Sequence, residues 1–348
     1  MSVPGHARGV ASGLGAAVLF GVSTPLAKLL LPSSGTFMLA GLLYLGAGIG
    51  LTVIAPFRRA GREAPLRRGD LPSLGAMVVA GGIVGPLLLL AGLARLPGGE
   101  ASLLLNLEAF FTIGIAVLLF GESLATREVV GAVAIVLGGV VLASGSSDGG
   151  MYALGALAVA GASLAWAIDN NFSQRLSLRD PVAVTRVKTL VAGAVNVSVA
   201  VAIGDRLPSA APLAGALATG FFGYGLSIVL HLLALRQIGT ARQAAYLATA
   251  PFVGALAAVP ILGERLTSKN IGAGLVMAVG VAILVRARHG HRHVHDAVEH
   301  DHAHVHDEHH DHAQGEGVPS EPHSHPHRHE PMVHDHAHDP DPHHRHRH

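Results

Sequence analysis

Glu108 stands in NLEAFF, in the middle of a long apolar stretch, with Asn106 two residues before it. A carboxylate in hydrocarbon costs about 2.5–3.5 kcal/mol on insertion scales, so it needs a partner or a watery cavity. In a cavity it can carry a proton or meet a cationic substrate. Held by a base on another helix, it would only fix packing. Asp169, Asn170 and Asn171 close a later apolar stretch, and Arg186 and Lys188 open the next. Asp169 with Arg186 or Lys188 makes an ion pair between neighbouring helices, or a gate, or a site for a carboxylate or amine; the arginine fork suits a carboxylate. His231 is the only histidine inside the apolar body and serves as a packed hydrogen-bonding group or a proton relay. Trp166, Tyr224, Tyr246 and Thr249 are candidates to line a cavity, although most aromatics in helices simply pack.

A second chemistry crowds the C-terminal end. Of the 24 histidines only His6 and His231 precede residue 289, which leaves 22 in the last 60 residues. They alternate with other residues at His289, His291, His293 and His295, then at His300, His302, His304 and His306, with acids between. Imidazole suits Zn, Ni and Cu(II), and carboxylates can complete a shell. Such redundancy names no fixed ligand set. With almost no large apolar residue, the stretch from 287 to 348 cannot build a core and is expected to be disordered.

The elements that position these groups follow from composition. Half of the 348 residues are apolar and mean hydropathy is +0.46 despite the polar tail. The apolar runs reach bilayer length, and 44 glycines suit close helix packing in lipid. Cysteine is absent, so no disulfide or thiol chemistry is available. Sparse aromatics give no support for stacking on nucleic acid. Ten apolar helices are predicted, at Val10–Leu31, Thr36–Phe57, Leu71–Leu93, Ala101–Phe120, Val129–Ala143, Tyr152–Phe172, Pro181–Ile203, Leu213–Leu235, Ala244–Leu262 and Ile271–Val285. Pro25, Pro86 and Pro251 fall inside them and each frees a carbonyl. With the N-terminus inside, the inside segments hold thirteen basic residues and the outside segments four, which puts both termini in the cytoplasm.

Two stretches of the chain read as an internal duplication, the alternative being two apolar hairpins alike by composition alone. LLFGESLATREVVGAVAIVLGGVVL, Leu118 to Leu142, recurs 142 positions later as PILGERLTSKNIGAGLVMAVGVAIL, Pro260 to Leu284. Gly121, Glu122 and Leu124 recur as Gly263, Glu264 and Leu266. Both glutamates sit at helix ends and read as structural residues of a turn. Five helices per half is an odd number, so the halves must be inverted in the membrane and can rock about a central site. The boundary falls in SGSSDGG, giving one unit over 1–145, a second over 150–286 and a tail over 287–348.

Two five-helix halves, each closing with an apolar helix, Gly-Glu, a turn and another helix, resemble the EamA-type branch of the drug/metabolite transporter superfamily. Phe20-Gly21 and Leu164-Ala165-Trp166 fit as well. The resemblance covers about residues 10 to 286 and implies a bacterial inner-membrane exporter of amino acids, metabolites or drugs, working by alternating access around a central cavity. It is silent on the tail. The expectation is an all-α membrane protein, a secondary transporter and not an enzyme, requiring no cofactor, with the bilayer and a small-molecule substrate as partners. The alternatives are a divalent-metal (Ni, Co or Zn) transporter and a membrane-anchored metal buffer using the tail. Neither a nucleotide-binding P-loop nor a His-Glu-x-x-His motif is present. Substrate, coupling ion and oligomeric state are not written in these residues.

Overall fold

The computed structural model describes residues 4–57, 64–120, 126–144, 149–176, 179–286, 289–295, 298–304, 323–329 and 332–338. Of the last four stretches it describes the backbone alone. The predicted turn at Glu122 lies outside the described residues.

Among the described residues fourteen α-helices make up the body. In the first half they are α1 (Pro4–Leu30), α2 (Thr36–Ile54), α3 (Leu71–Met77), α4 (Gly85–Leu93), α5 (Gly98–Leu104), α6 (Leu107–Phe120) and α7 (Thr126–Ala143). In the second half they are α8 (Gly149–Leu176), α9 (Pro181–Ala202), α10 (Ala210–Gly220), α11 (Ser227–Ile238), α12 (Thr240–Leu247), α13 (Ala250–Leu262) and α14 (Ser268–Arg286). Eight stretches of the described residues are long and apolar enough to cross a membrane, and Ser268–Leu284 is a shorter apolar helix.

The structure corrects four predicted helices. The helix expected over Leu71–Leu93 is α3 and α4 joined by a π-helical segment, Val78–Val84. The one over Leu213–Leu235 is α10 and α11 joined by another, Phe221–Leu226. The helix expected over Ala101–Phe120 starts at Gly98 and breaks between Leu104 and Leu107; that over Ala244–Leu262 starts at Thr240 and breaks between Leu247 and Ala250. Hydropathy cannot register such breaks, because a π turn or a two-residue break costs no apolar character. They recur about 142 positions apart, at Val78–Val84 and Phe221–Leu226 and at the breaks after Leu104 and Leu247. Proline follows them. Pro86 and Pro251 fall in the first turns of α4 and α13; α4 runs on from the π segment without a gap, so the missing N–H of Pro86 leaves a carbonyl of that segment unclaimed. Pro25, by contrast, stands inside α1.

Glycine brings repeat-related helices together. Gly41 and Gly48 of α2 lie against Gly193 and Leu190 of α9. Gly131 and Gly138 of α7 lie against Gly280 and Met277 of α14. Residue numbers rise along one helix as they fall along its mate, so each pair runs antiparallel. Backbone also lies close against backbone between α2 and α10. A Cβ on Gly220 would meet the carbonyl of Leu43, and one on Gly46 that of Leu217. Backbone cannot move aside as a side chain can. Gly220→Ala is therefore expected to cost about 1–3 kcal/mol, read as a lower thermal midpoint in detergent. An unchanged midpoint would show that the two helices part freely.

The tail differs from the expected disorder in four stretches. β1 (His289–His295) pairs antiparallel with β4 (Met332–His338), and β2 (Val298–His304) with β3 (His323–His329). Period-two alternation of histidine fits a strand as well as a coil. An isolated two-stranded ladder is marginal in water, and these add no apolar layer to the body. His306 lies outside the described residues, and the side chains of His289, His291, His293, His295, His300, His302 and His304 do too.

Candidate functional site

The first π segment and Pro86 just after it, which lacks an N–H, leave the carbonyls of Gly81 and Gly82 free for other partners. The Gly81 carbonyl accepts from the Tyr44 hydroxyl of α2 and, at 3.1 Å, from the Trp166 Nε1–H of α8. The Gly82 carbonyl accepts from the Asn196 amide of α9 at 3.2 Å. Three helices are thereby fastened to one point in the bundle. Tyr224, in the second π segment, lies 5.4 Å from the Tyr44 ring, and Phe20 of α1 meets both Trp166 and Tyr224 edge-on. These four aromatics come from both halves and form the floor of the site.

The charged groups stand beside that floor. Lys188 of α9 and Asp169 of α8 pair at 2.5 Å, with side chains only 2% and 9% exposed. Asp169 Oδ1 and Asn196 Oδ1 have no protein partner. Such an ion pair sets two desolvated charges against each other, and removing either strands its mate. Next along α8, the Asn170 amide donates to the Glu108 carboxylate in the first turn of α6 at 2.5 Å. Glu108 follows directly on the break after α5. Asn106, inside that break, donates to the Leu103 carbonyl and leaves its own oxygen unpartnered.

The structure thus gathers Glu108, Trp166, Asp169, Asn170, Lys188 and Tyr224 around the meeting of α1, α2, α6, α8 and α9, whereas the Asn106 amide faces Met277 of α14. Arg186 does not join them: it is half-exposed, and Lys188 takes the place beside Asp169. His231 of α11 shares a 2.9 Å hydrogen bond with Gln243 of α12, the role of each nitrogen depending on the tautomer. Tyr246 of α12 is half-buried against Gly13 of α1. Thr249, at the break after α12, is exposed. Among the described residues no three His, Asp or Glu side chains converge as metal ligands. Tyr44, Asn196 and the Gly81 carbonyl are not legible in advance. Their signal is the glycine pair at 81 and 82 with Gly223 at the repeat spacing, which marks both π segments.

The two ends of the bundle are built differently. The arginine end carries the Asp70–Arg179 pair at 2.9 Å and the Arg236 side chain on the Arg179 carbonyl. At the opposite end, Gly263 ends α13 in the left-handed conformation (φ 69°), a turn that glycine takes without strain. The chain is thereby aimed so that the Glu264 carboxylate caps α5, accepting from Gly98 N–H at 2.6 Å and Gly99 N–H at 2.8 Å. Lys28 ties α1 to the same corner by donating to the Leu93 and Leu96 carbonyls. Lys269 donates to the Leu142 and Ser144 carbonyls and lies 4.0 Å from Glu100. The Gly-Glu turn is therefore a cap that one half places on the broken helix of the other. Glu264→Ala is expected to cost about 0.5–2 kcal/mol, as loss of a helix cap does. Glu264→Gln should recover part of it through the remaining carbonyl oxygen. Thermal midpoints of the two variants check this, and equal midpoints for wild type and Glu264→Ala would dismiss the cap.

The EamA-like transporter family matches residues 7–144 and again residues 153–286. An "Uncharacterized transporter" of Methanothermobacter thermautotrophicus is 31% identical over 284 residues, covering 76% of this chain and 82% of that protein. The "Uncharacterized inner membrane transporter YedA" of Escherichia coli K12 is 26% identical, covering 66% and 75% respectively. A "Probable amino-acid metabolite efflux pump" of Salmonella typhimurium is 28% identical, covering 53% and 66%. A solved crystal structure shares the fold with a TM-score of 0.61 at 18% identity, covering 79% of this chain and 97% of its own.

Proposed function

The chain belongs to the EamA-like transporter family, a multi-pass membrane protein of transporters, and from that premise we propose that it exports a small amino acid or related metabolite by alternating access. The observation that carries this is the polar cluster of Glu108, Asn170, Asp169 and Lys188 at the seam between halves, beside one of two repeat-related helix breaks. A carboxylate with an amide and an ammonium with a carboxylate offer complementary partners for a zwitterion. In this reading the halves are inverted five-helix repeats with ten crossings, both termini are cytoplasmic, and the membrane is the inner membrane. The antiparallel packing of α2 on α9 and of α7 on α14 supports the inversion. So does an asymmetry between the ends. α5 packs on α13 at the opposite end, whereas their repeat counterparts α12 and α6 make no comparable contact at the arginine end. The open side then faces the cytoplasm, where an exporter loads. A proton moving through Glu108 supplies the driving force.

Inverted membrane vesicles bearing the protein test this with labelled amino acids and their metabolites. Uptake of one class that collapses with the proton gradient is expected. Gradient-independent uptake, or none across the panel, overturns the reading.

A second reading gives the tail the cargo: a divalent metal, transported or buffered. The strand register favours it, since it sets histidine opposite histidine three times in each ladder, as at His291 with His336 and His302 with His325. Cells expressing a chain that ends at residue 288 decide between the readings. Unchanged metal tolerance with export intact removes the metal.

A further inference from the structure

At the opposite end the short broken helix of one half lies against the closing helix of the other, and the repeat spacing says which residues correspond at the arginine end. Glu100 is the third residue of α5, and Lys269 and Asn270 are the second and third of α14. The Glu100 carboxylate is buried, faces the Asn270 amide and lies 4.0 Å from Lys269. These contacts join the short broken helix of one half to the closing helix of the other. Moved by 142 positions, Glu100 becomes Arg242, the third residue of α12. Lys269 and Asn270 become Arg127 and Glu128, the second and third residues of α7. The polarity is exchanged: the short helix now carries the base, and the acid stands where the amide was. Arg127 would meet Arg242 as a like charge, so the complementary partner is Glu128. In this structure Arg242 is exposed and α12 leans on α1, α11 and α14, away from α6.

We propose that Arg242 and Glu128 form the ion pair that closes the arginine end during the transport cycle, as the repeat counterparts of Glu100 with Lys269 and Asn270, which join the short helix to the closing helix at the opposite end. This rests on reading the halves as interchangeable repeats that rock. It adds the residues that position the moving helices, which touch no substrate. One state cannot hold both closures, so weakening the opposite one drives the protein toward the arginine-end pair.

The chain has no cysteine, so a reporter pair needs no background removal. Glu128→Cys and Arg242→Cys are introduced together in full-length protein in lipid nanodiscs and challenged with a short bis-maleimide. Crosslinking should rise about fivefold or more when Lys269→Ala is added, the range of ordinary coupling between sites. No rise with Lys269→Ala or with Glu264→Ala overturns the pair. In vesicles, Arg242→Glu and Glu128→Arg should each slow export about tenfold, and the double exchange should restore most of it. A double variant no better than the singles also overturns it, provided all three elute as wild type on gel filtration. Crosslinking needs no substrate. A coupled crosslink without export would retain the gate and refute the exporter; export without a coupled crosslink would do the reverse.

Discussion

Lys188→Ala is expected to cost the protein about 3–5 kcal/mol, the loss seen when a buried pair is broken from one side. Lys188 is the most deeply buried charge of the central cluster, with its side chain 2% exposed and Asp169 as its ion-pair partner. Alanine would leave the Asp169 carboxylate in the bundle with one oxygen already lacking a partner. It would also open a void beside α8. Lys188→Met with Asp169→Leu removes both charges at similar volume and should recover most of the thermal midpoint. Export should not recover with it if the pair orients substrate. Midpoints from thermal unfolding in detergent, read beside vesicle uptake, separate the two roles. If the double variant both folds and exports, the pair is packing alone. If Lys188→Ala melts like wild type, the pair contributes no stability.

Glu108→Gln is expected to reduce proton-driven export to the level of empty vesicles while the protein still folds. Glutamine keeps the size of the side chain and an oxygen for the Asn170 amide, which now donates to the carboxylate. What it loses is the capacity to release and rebind a proton at this point in the bundle. Downhill exchange of labelled for unlabelled substrate should survive, because a neutral side chain mimics the protonated state. That combination marks a coupling group. Loss of exchange as well would make Glu108 a binding residue, and unimpaired uphill transport would remove it from the mechanism.

Hydropathy marked out an all-helical membrane chain, and eight stretches of the described residues are long and apolar enough to cross a bilayer, because span length is written along the chain. The charged and polar residues in apolar runs, Glu108, Asp169, Lys188 and Asn170, were visible for the same reason: each is costly where it stands. Their partners were not. Asp169 had two bases within reach on α9, and only the rotation of that helix against α8 selects Lys188 and leaves Arg186 half-exposed. The π segments and the breaks before Leu107 and Ala250 leave no hydropathy trace, so the hydrogen bonds that the first π segment accepts from Tyr44, Trp166 and Asn196 emerge only in three dimensions. The role of Glu264 is decided the same way. From sequence it is a polar residue at a turn, while the fold brings it 166 positions along the chain to the first N–H of α5. Periodicity is local and survives in one dimension; the choice among possible partners depends on helix rotation and packing, which only the folded bundle fixes.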